Sequence, residues 1–519
     1  MTSDVRFPLD GRASVVHTAQ VFRDPEACWR IAERRDARFD GQFIVAVRST
    51  RIYCRPSCPA TTPKRRNVSF YPTAAAAQSA GYRACKRCRP DASPGSPDWS
   101  LRADAVARAM RLIVDGIVDR EGVGGLARRV GYSERHLTRL MTEDLGAGPL
   151  AVARAQRAQT ARTLLESTDL TITTVAFAAG FSSVRQFNDT MREVYATTPT
   201  ELRTAAHRRS TPPPGRIALR LPFRPPFAAQ HLFEFLGARA ICGIERFDGT
   251  TYTRTLELPQ GRGHTVIEPR PDHLAVILQL DDVSDLASAV RRLRDTFDLD
   301  ADPVTSDAAL VRDRTLRDSV RRNPGMRVPG CADPTELAVR AVLGQQISVR
   351  GARTLAQRLV AALGTPVTAG DTGLTHCFPS AARIAESDLD MLGMPAARRN
   401  AIRSLSAAIA EGRVDLSPGV DRTAARESLL TVAGIGPWTA EYIALRALRD
   451  PDAFLASDLG VRHGASRLGI ADEAGELERQ SQRWRPWRAY AQIHLWHALA
   501  LPAPQQPAPN PRDHERSAP

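Results

Sequence analysis

Four of the chain's eight cysteines fall within 35 positions, as Cys54-Arg-Pro-Ser-Cys58 and Cys85-Lys-Arg-Cys88, with 26 residues between the pairs. No other feature constrains the fold as strongly, because two short loops carrying two sulfurs each must be brought together by the segment between them. Such paired spacings favour a tetrahedral four-thiolate Zn2+ site in a reducing compartment, the alternative being two disulfides in a secreted module. The first twelve residues contain Asp4 and Asp10 and no apolar stretch of the secretory kind, so a cytoplasmic location is expected. No run of about 18 apolar residues occurs, so no membrane partner is expected. The remaining cysteines, Cys28, Cys242, Cys331 and Cys377, are isolated and are read as buried small apolar residues.

A chain of 519 residues is long enough for about three or four domains. Three seams rich in Pro, Ser or charge divide it, at 91–98, at 208–215 and in the tail 502–519. The expected fold class is multidomain α+β. A small zinc-bound α/β module occupies 1–98, and an all-α double helix-turn-helix domain occupies 99–208. After a linker at 209–215 come a β-rich lobe at 216–300, a helical helix-hairpin-helix core at 301–501 and a disordered tail at 502–519. The linkers predict mobility between modules. The net charge of +14 is uneven: residues 1–98 carry +8, residues 99–210 carry +4 and the rest only +2. That bias suggests a polyanionic partner for the N-terminal half, with double-stranded DNA the first candidate.

The segment Ala46-Val-Arg-Ser-Thr-Arg-Ile-Tyr-Cys-Arg-Pro-Ser-Cys58, with Asn67-Val-Ser-Phe-Tyr71 and Ala80-Gly-Tyr-Arg-Ala-Cys-Lys-Arg-Cys88, closely resembles the N-terminal domain of Ada-type DNA repair methyltransferases. The resemblance implies that Cys54, Cys58, Cys85 and Cys88 hold one Zn2+. It also implies that Cys54 accepts a methyl group from a DNA methylphosphotriester, stoichiometrically. Four thiolates on Zn2+ carry −2, and methylating one leaves −1, so repair makes the surface more attractive to phosphates. Thr50 and Arg83 match family positions that contact DNA, and Arg87 is a candidate phosphate partner. Pro59 and Thr61 stand where the family has arginines, with Lys64, Arg65 and Arg66 nearby as substitutes.

Residues 99–205 read as nearly continuous helix with two similar breaks. Leu126-Ala-Arg-Arg-Val-Gly-Tyr-Ser133 and Val175-Ala-Phe-Ala-Ala-Gly-Phe-Ser182 both fit Ala-x3-Gly-aromatic-Ser, with Gly131 and Gly180 separated by 49 residues. Glycine supplies a positive φ in the turn and serine caps the next helix. The pair resembles the AraC-type activator DNA-binding domain. Arg135, His136 and Arg139, then Ser183, Arg185, Gln186 and Asn188, are the candidate groove-facing residues. RNA polymerase is the expected further partner of such an activator.

In the last third, Leu429-Leu-Thr-Val-Ala-Gly-Ile-Gly-Pro-Trp438 places Gly434 and Gly436 in a hairpin between helices, where backbone N–H groups meet a phosphate. This resembles the helix-hairpin-helix of base-excision glycosylases, which implies a catalytic Asp about twenty residues on; Asp458 fills that place, with a helix N-cap as its ordinary reading. Leu343-Gly-Gln-Gln-Ile-Ser348 and Trp484-Arg-Pro-Trp-Arg-Ala-Tyr-Ala-Gln-Ile-His-Leu-Trp496 extend the likeness to AlkA-type 3-methyladenine glycosylases. By that resemblance Phe235, Trp438, Tyr442 and Trp496 line a pocket for a flipped alkylated base, where electron-rich rings suit a positively charged purine. Gln346 stands where relatives carry an apolar wedge. Trp438 occupies the position of the Schiff-base Lys of glycosylase/lyases, which implies a monofunctional enzyme. The competing reading is a zinc-dependent transcription factor whose C-terminal part binds DNA without catalysis.

Overall fold

The computed structural model describes residues 24–90, 105–207 and 215–500. The seams at 91–98 and 208–214 and the tail at 502–519 lie outside the described residues.

The first module opens with α1 (Pro25–Glu33), whose N-cap Asp24 accepts from two backbone N–H groups ahead of a proline in the first turn. Its sheet has the order β3-β1-β2-β4, from β1 (Ile44–Val47), β2 (Ile52–Cys54), β3 (Val68–Tyr71) and β4 (Arg83–Ala84), with α2 (Ala74–Ser79) before β4. Strands β2 and β4 run parallel with Tyr53 opposite Ala84, so Cys54 and Cys85 leave neighbouring strand ends side by side. That register brings the two cysteine pairs together.

The helical module comprises α3 (Ala105–Val114), α4 (Ile117–Val130), α5 (Glu134–Leu145), α6 (Pro149–Ser167), α7 (Ile172–Ala178), α8 (Val184–Tyr195) and α9 (Pro199–His207). Gly131 and Gly180 turn between paired helices at φ of 86° and 84°. Ser133 caps α5, accepting from the His136 N–H. In the second unit the cap is Ser183, one residue beyond the motif serine, because its extended backbone aims the hydroxyl at the Gln186 N–H. Ser182 instead donates to the Gln186 side chain.

The third module begins with a five-stranded antiparallel sheet, ordered β5-β9-β8-β7-β6. Its strands are β5 (Ile217–Pro222), β6 (Glu245–Phe247), β7 (Tyr252–Glu257), β8 (Arg262–Pro269) and β9 (His273–Leu280), with α10 (Ala229–Ala238) between β5 and β6. Beyond it the chain is almost wholly helical. The elements used below are α11 (Leu286–Thr296), α12 (Pro303–Leu310), α13 (Arg317–Arg322), α14 (Pro334–Leu343), α15 (Val349–Leu363), α16 (Ala381–Glu386), α17 (Ala396–Ala410), α18 (Arg422–Leu430), α19 (Pro437–Arg446), α20 (Leu459–Arg467), α21 (Ala474–Ser481) and α22 (Arg488–Ala500). A buried ionic network ties sheet to helices: Arg254 reaches Glu336 at 2.9 Å, and Arg340 reaches Glu245 at 2.9 Å and Glu336 at 2.6 Å. Against the cost of burial, Arg340 and Arg254 hold the Glu245 carboxyl below its ordinary range. The network anchors α14 and with it the turn at 344–348.

The modules are packed together, which corrects the expectation of mobility. Ile44, Ala46 and Tyr53 of the zinc sheet, Leu164 and Phe187 of the helical module, and Ile217, Leu219 and Leu221 of β5 share one apolar cluster. Polar contacts add to it: Arg224 donates to the Asp40 carbonyl at 2.6 Å, Arg108 to the Gly419 carbonyl at 2.7 Å, and Arg291 pairs with Asp115 at 3.3 Å. Linker composition describes the chain between modules and carries no information about their faces. A second correction concerns the isolated cysteines: Cys28 and Cys377 are buried, but Cys331 is half-buried and Cys242 exposed.

Helices α20 and α22 touch at Gly464, where an added Cβ would lie 1.9 Å from the Leu495 carbonyl oxygen. Only glycine permits that approach, which sets Trp496 beside the residues opening α20. Gly464→Ala is therefore expected to cost about 1–3 kcal/mol or more in the glycosylase core, read as a lower midpoint of its thermal transition. An unchanged midpoint would mean that the two helices are free to separate.

Candidate functional sites

The Sγ atoms of Cys54, Cys58, Cys85 and Cys88 lie within 4.8 Å of one another, with Cys58 the most accessible. Four soft donors so gathered fit one tetrahedral Zn2+. The loop between Cys54 and Cys58 is braced by Asp40, whose carboxylate accepts from the Ser57 N–H at 3.0 Å and hydroxyl at 2.6 Å and pairs with Arg55 at 3.2 Å. Burial nevertheless pushes the Asp40 carboxyl up from its ordinary range. Asp40 carried no motif signal, since it lies fourteen residues before Cys54. Around this centre Thr50 and Arg87 are exposed and Arg83 is half-buried on β4. Lys64 and Arg66 are exposed as well. Arg65 is already engaged, bonded to Glu26 at 2.7 Å and lying over the Trp29 and Phe70 rings, so it is a structural residue.

On the helix-turn-helix units, Arg135 and Arg139 are exposed on α5, and Arg185 and Gln186 on α8. Asn188 is half-buried. Arg139 contacts His136 at 3.2 Å and Glu143 at 3.6 Å, and His136 stacks on Tyr132 at 4.9 Å. Ser183 is committed to its cap.

In the third module, the turn 431–436 joins α18 to α19. Gly434 has φ of 84°, and an added Cβ would meet that of Ala401 on α17 at 2.4 Å, so both backbone and space demand glycine. Gly436 is extended and opens to solvent just before Pro437. Gln345 binds the Gly434 carbonyl at 3.2 Å and the Thr439 hydroxyl at 2.9 Å, joining this hairpin to the turn that carries Gln346. Gln346 is exposed with φ of 58°. Ile347, within the Leu343–Ser348 motif, and Val349, just beyond it, line the adjacent cavity.

That cavity measures about 840 Å3, within the range of small-molecule sites, and brings together Phe235, Trp438, Tyr442, Asp458 and Trp496. Asp458 is both the N-cap of α20, accepting from the Val461 N–H at 2.9 Å, and a cavity residue. One of its oxygens accepts the Trp438 indole N–H at 3.1 Å and the other that of Trp496 at 3.0 Å. Behind the indoles lie two further layers. Tyr442 stacks on Trp438 at 5.3 Å and receives Arg446 at 2.7 Å on its hydroxyl, while Phe235 stacks on Trp496 at 5.8 Å with the Arg239 guanidinium 3.7 Å over its ring. Although burial opposes it, Arg446 and Arg239 hold the Tyr442 phenol below its ordinary pKa. Gly460 completes the arrangement, because an added Cβ would stand 3.1 Å from Asp458 and 3.3 Å from Trp496. Its signal in the sequence was no more than a glycine two residues after the aspartate.

Two histidines on the cavity wall, His231 and His497, meet at a tilt with ring centroids 4.8 Å apart, beside buried His494. Burial, then the neighbouring His497, lowers His231 to about 4; burial, then His497 and His231, lowers His494 to about 3. Glu234 opposes the shift at His231. An unfolded histidine titrates near 6.5, so between that pH and about 4 the unfolded chain takes up protons that the folded chain refuses. The stabilisation from neutral histidine is complete above pH 6.5 and is lost as pH falls. His494→Gln should flatten the fall in thermal midpoint between pH 6.5 and 4, and an unaltered slope would exclude this histidine as its source.

A thiolate metal centre, a double helix-turn-helix and a helix-hairpin-helix cavity in one chain define a DNA-binding protein that combines alkyl acceptance, gene regulation and base excision. Comparison with known families agrees. Residues 27–91 match the metal binding domain of Ada, 126–205 a helix-turn-helix domain, 218–333 the AlkA N-terminal domain and 339–489 the HhH-GPD superfamily base excision DNA repair protein. The chain is 53% identical over 487 residues to the "Probable bifunctional transcriptional activator/DNA repair enzyme AlkA" of Mycobacterium tuberculosis, covering 93% of this chain and 98% of that one. It is 34% identical to DNA-3-methyladenine glycosylase 2 of Escherichia coli over 53% of this chain and 96% of that protein. To the bifunctional transcriptional activator/DNA repair enzyme Ada of the same organism it is 40% identical, over 30% of this chain and 42% of that protein. The chain belongs to the family of bifunctional transcriptional activator/DNA repair enzymes, with an Ada-like methyltransferase and activator half fused to an AlkA-like glycosylase. DNA is its partner, and among the described residues no helix is long and apolar enough to cross a membrane.

Proposed function

We propose that the glycosylase half hydrolyses the N-glycosidic bond of alkylated bases such as 3-methyladenine, with Asp458 as its catalytic carboxylate. The observation that carries this reading is the double indole clamp on Asp458 at the wall of an aromatic cavity. A flipped base enters the cavity against Trp438 and Trp496. Phe235 and Tyr442 back these rings, each already facing a guanidinium. The carboxylate offsets positive charge growing on the deoxyribose as the C1′–N bond breaks and its electron pair leaves with the base. Water then bonds to C1′, its proton passing to the carboxylate. Gly434 and Gly436 present N–H groups to a backbone phosphate, and Gln346 occupies the gap left by the flipped base. No Lys stands at Trp438, so the enzyme is monofunctional. Its product on a duplex holding one alkylated base should be an uncut strand that breaks only after alkali, whereas breakage without alkali would contradict the assignment.

In the N-terminal half, Cys54, Cys58, Cys85 and Cys88 hold the zinc, which when bound keeps the sulfurs as thiolates at neutral pH. Cys54 Sγ attacks the methyl carbon of a methylphosphotriester, the C–O bond breaks, and a phosphodiester anion leaves. The thioether is permanent, so each chain reacts once. Thr50, Arg83 and Arg87 contact the backbone there. Arg135, Arg139, Arg185 and Gln186 read promoter DNA, and RNA polymerase is the partner of the activated form. The working units are 1–98, 99–208, 216–300 and 301–501, housed in the cytoplasm.

A further inference from the structure

Tyr442 and Arg446 lie one turn apart on α19, at the wall of the base cavity. Arg446 is buried and fixed on three sides: Nε donates to the Pro329 carbonyl at 2.9 Å, Nη2 to the Gly330 carbonyl at 3.0 Å and Nη1 to the Tyr442 hydroxyl at 2.7 Å. Arg239, just past the end of α10, bonds the Phe235 carbonyl at 3.3 Å and sets a second positive charge near the same hydroxyl. The hydrogen-bond partners of both guanidiniums are thus uncharged oxygens. Arg340 of α14 also acts on the phenol but is committed to Glu245 and Glu336. Burial opposes ionisation of the phenol, yet Arg446 and Arg239 outweigh it, and the same field would steady a phenolate. A phenol has one proton to donate, and a guanidinium accepts none. The Tyr442 oxygen receives Arg446, and among the described residues no acceptor takes its own O–H. Since Tyr442 lines the cavity, the acceptor left to it is solvent or, when the cavity is filled, the flipped base. A base that enters positively charged departs neutral when the C1′–N bond breaks. An uncharged base departs as an anion unless a positioned acid supplies a proton.

We infer that Tyr442 is a second catalytic residue of the glycosylase, donating its proton to the departing base while Arg446 and Arg239 hold the phenolate that results. This rests on the glycosylase assignment of Asp458 and extends it from cationic alkylated bases to uncharged ones. As the C1′–N bond breaks, its electron pair goes to the base, and the phenol proton goes to a ring nitrogen or exocyclic oxygen of that base. Water bonds to C1′ and leaves its proton on Asp458. Once the base has left, Asp458 releases a proton to solvent and the phenolate takes one up, so one water is consumed per base.

The test compares release of hypoxanthine from a duplex carrying deoxyinosine with release of 3-methyladenine from methylated DNA, by the full-length, zinc-loaded protein. The wild-type protein should release both. Tyr442→Phe keeps the stacked ring and loses the proton, so hypoxanthine release should fall about a hundredfold or more and 3-methyladenine release less than about tenfold. Arg239→Met keeps an apolar chain beside Phe235 and the Tyr442 hydroxyl but loses a charge, so the ratio of hypoxanthine to 3-methyladenine release should fall there too. Wild-type release of 3-methyladenine without hypoxanthine, or an unchanged ratio in either variant, would overturn the proposal and leave Tyr442 a packing residue. Release of neither base by the wild-type protein would instead overturn the glycosylase assignment, and this proposal with it.

Discussion

Asp458→Asn should lower the rate of 3-methyladenine release by about 10^2- to 10^4-fold, the range expected when a positioned charge or proton acceptor is removed from a reacting centre. The substitution changes little else. An amide oxygen still accepts the Val461 N–H and so keeps the cap of α20. The amide nitrogen, by contrast, faces an indole N–H where the carboxylate offered an acceptor. Duplex binding through the hairpin at Gly434 and Gly436 should be retained, which separates a chemical defect from a binding defect. Asp458→Ala is the less informative variant, because it also removes the helix cap, a loss of about 1 kcal/mol, and leaves two indole donors without their acceptor. Base release by Asp458→Asn at the wild-type rate would remove Asp458 from the mechanism and restore the reading of a non-catalytic C-terminal module.

The second large effect is at Cys54. Cys54→His preserves a zinc-binding side chain in the four-residue set of Cys54, Cys58, Cys85 and Cys88, yet removes the sulfur that takes the methyl group. It should hold one zinc per chain and take up no methyl from methylphosphotriester DNA. In the wild-type protein, mass spectrometry should find the mass of one added methylene on the Cys54 peptide and on no other. A methyl found on Cys58, the most accessible of the four sulfurs, would move the acceptor role there.

These sites differed in how far they could be read from the residues alone. The paired cysteines, the twin glycine turns and the Gly-Ile-Gly hairpin were legible because each is a local backbone or ligand requirement written within a few positions. The cap of α8 shows the resolution of such signals: the motif places the capping serine at Ser182, and the backbone conformation gives the role to Ser183. What was not legible depends on distant segments meeting. Gly464 is dictated by the carbonyl of Leu495, and Gly460 by the indole of Trp496. Arg239 and Arg446 stack behind the pocket rings at spacings that look like ordinary helix surface. Asp40 braces a loop that begins fourteen residues later, and its carbonyl also receives Arg224 from the third module. The packing of the modules was hidden for the same reason, since faces such as that of Leu112 against Gly419 have no sequence period of their own.

On the proposed assignments one chain houses two separate chemistries. Base release from methylated DNA by the full-length Cys54→His and Asp458→Asn proteins, measured side by side, tests it most directly. Cys54→His should release base at the wild-type rate and Asp458→Asn almost none; loss of release in the first, or its survival in the second, would show that the two chemistries are not separate.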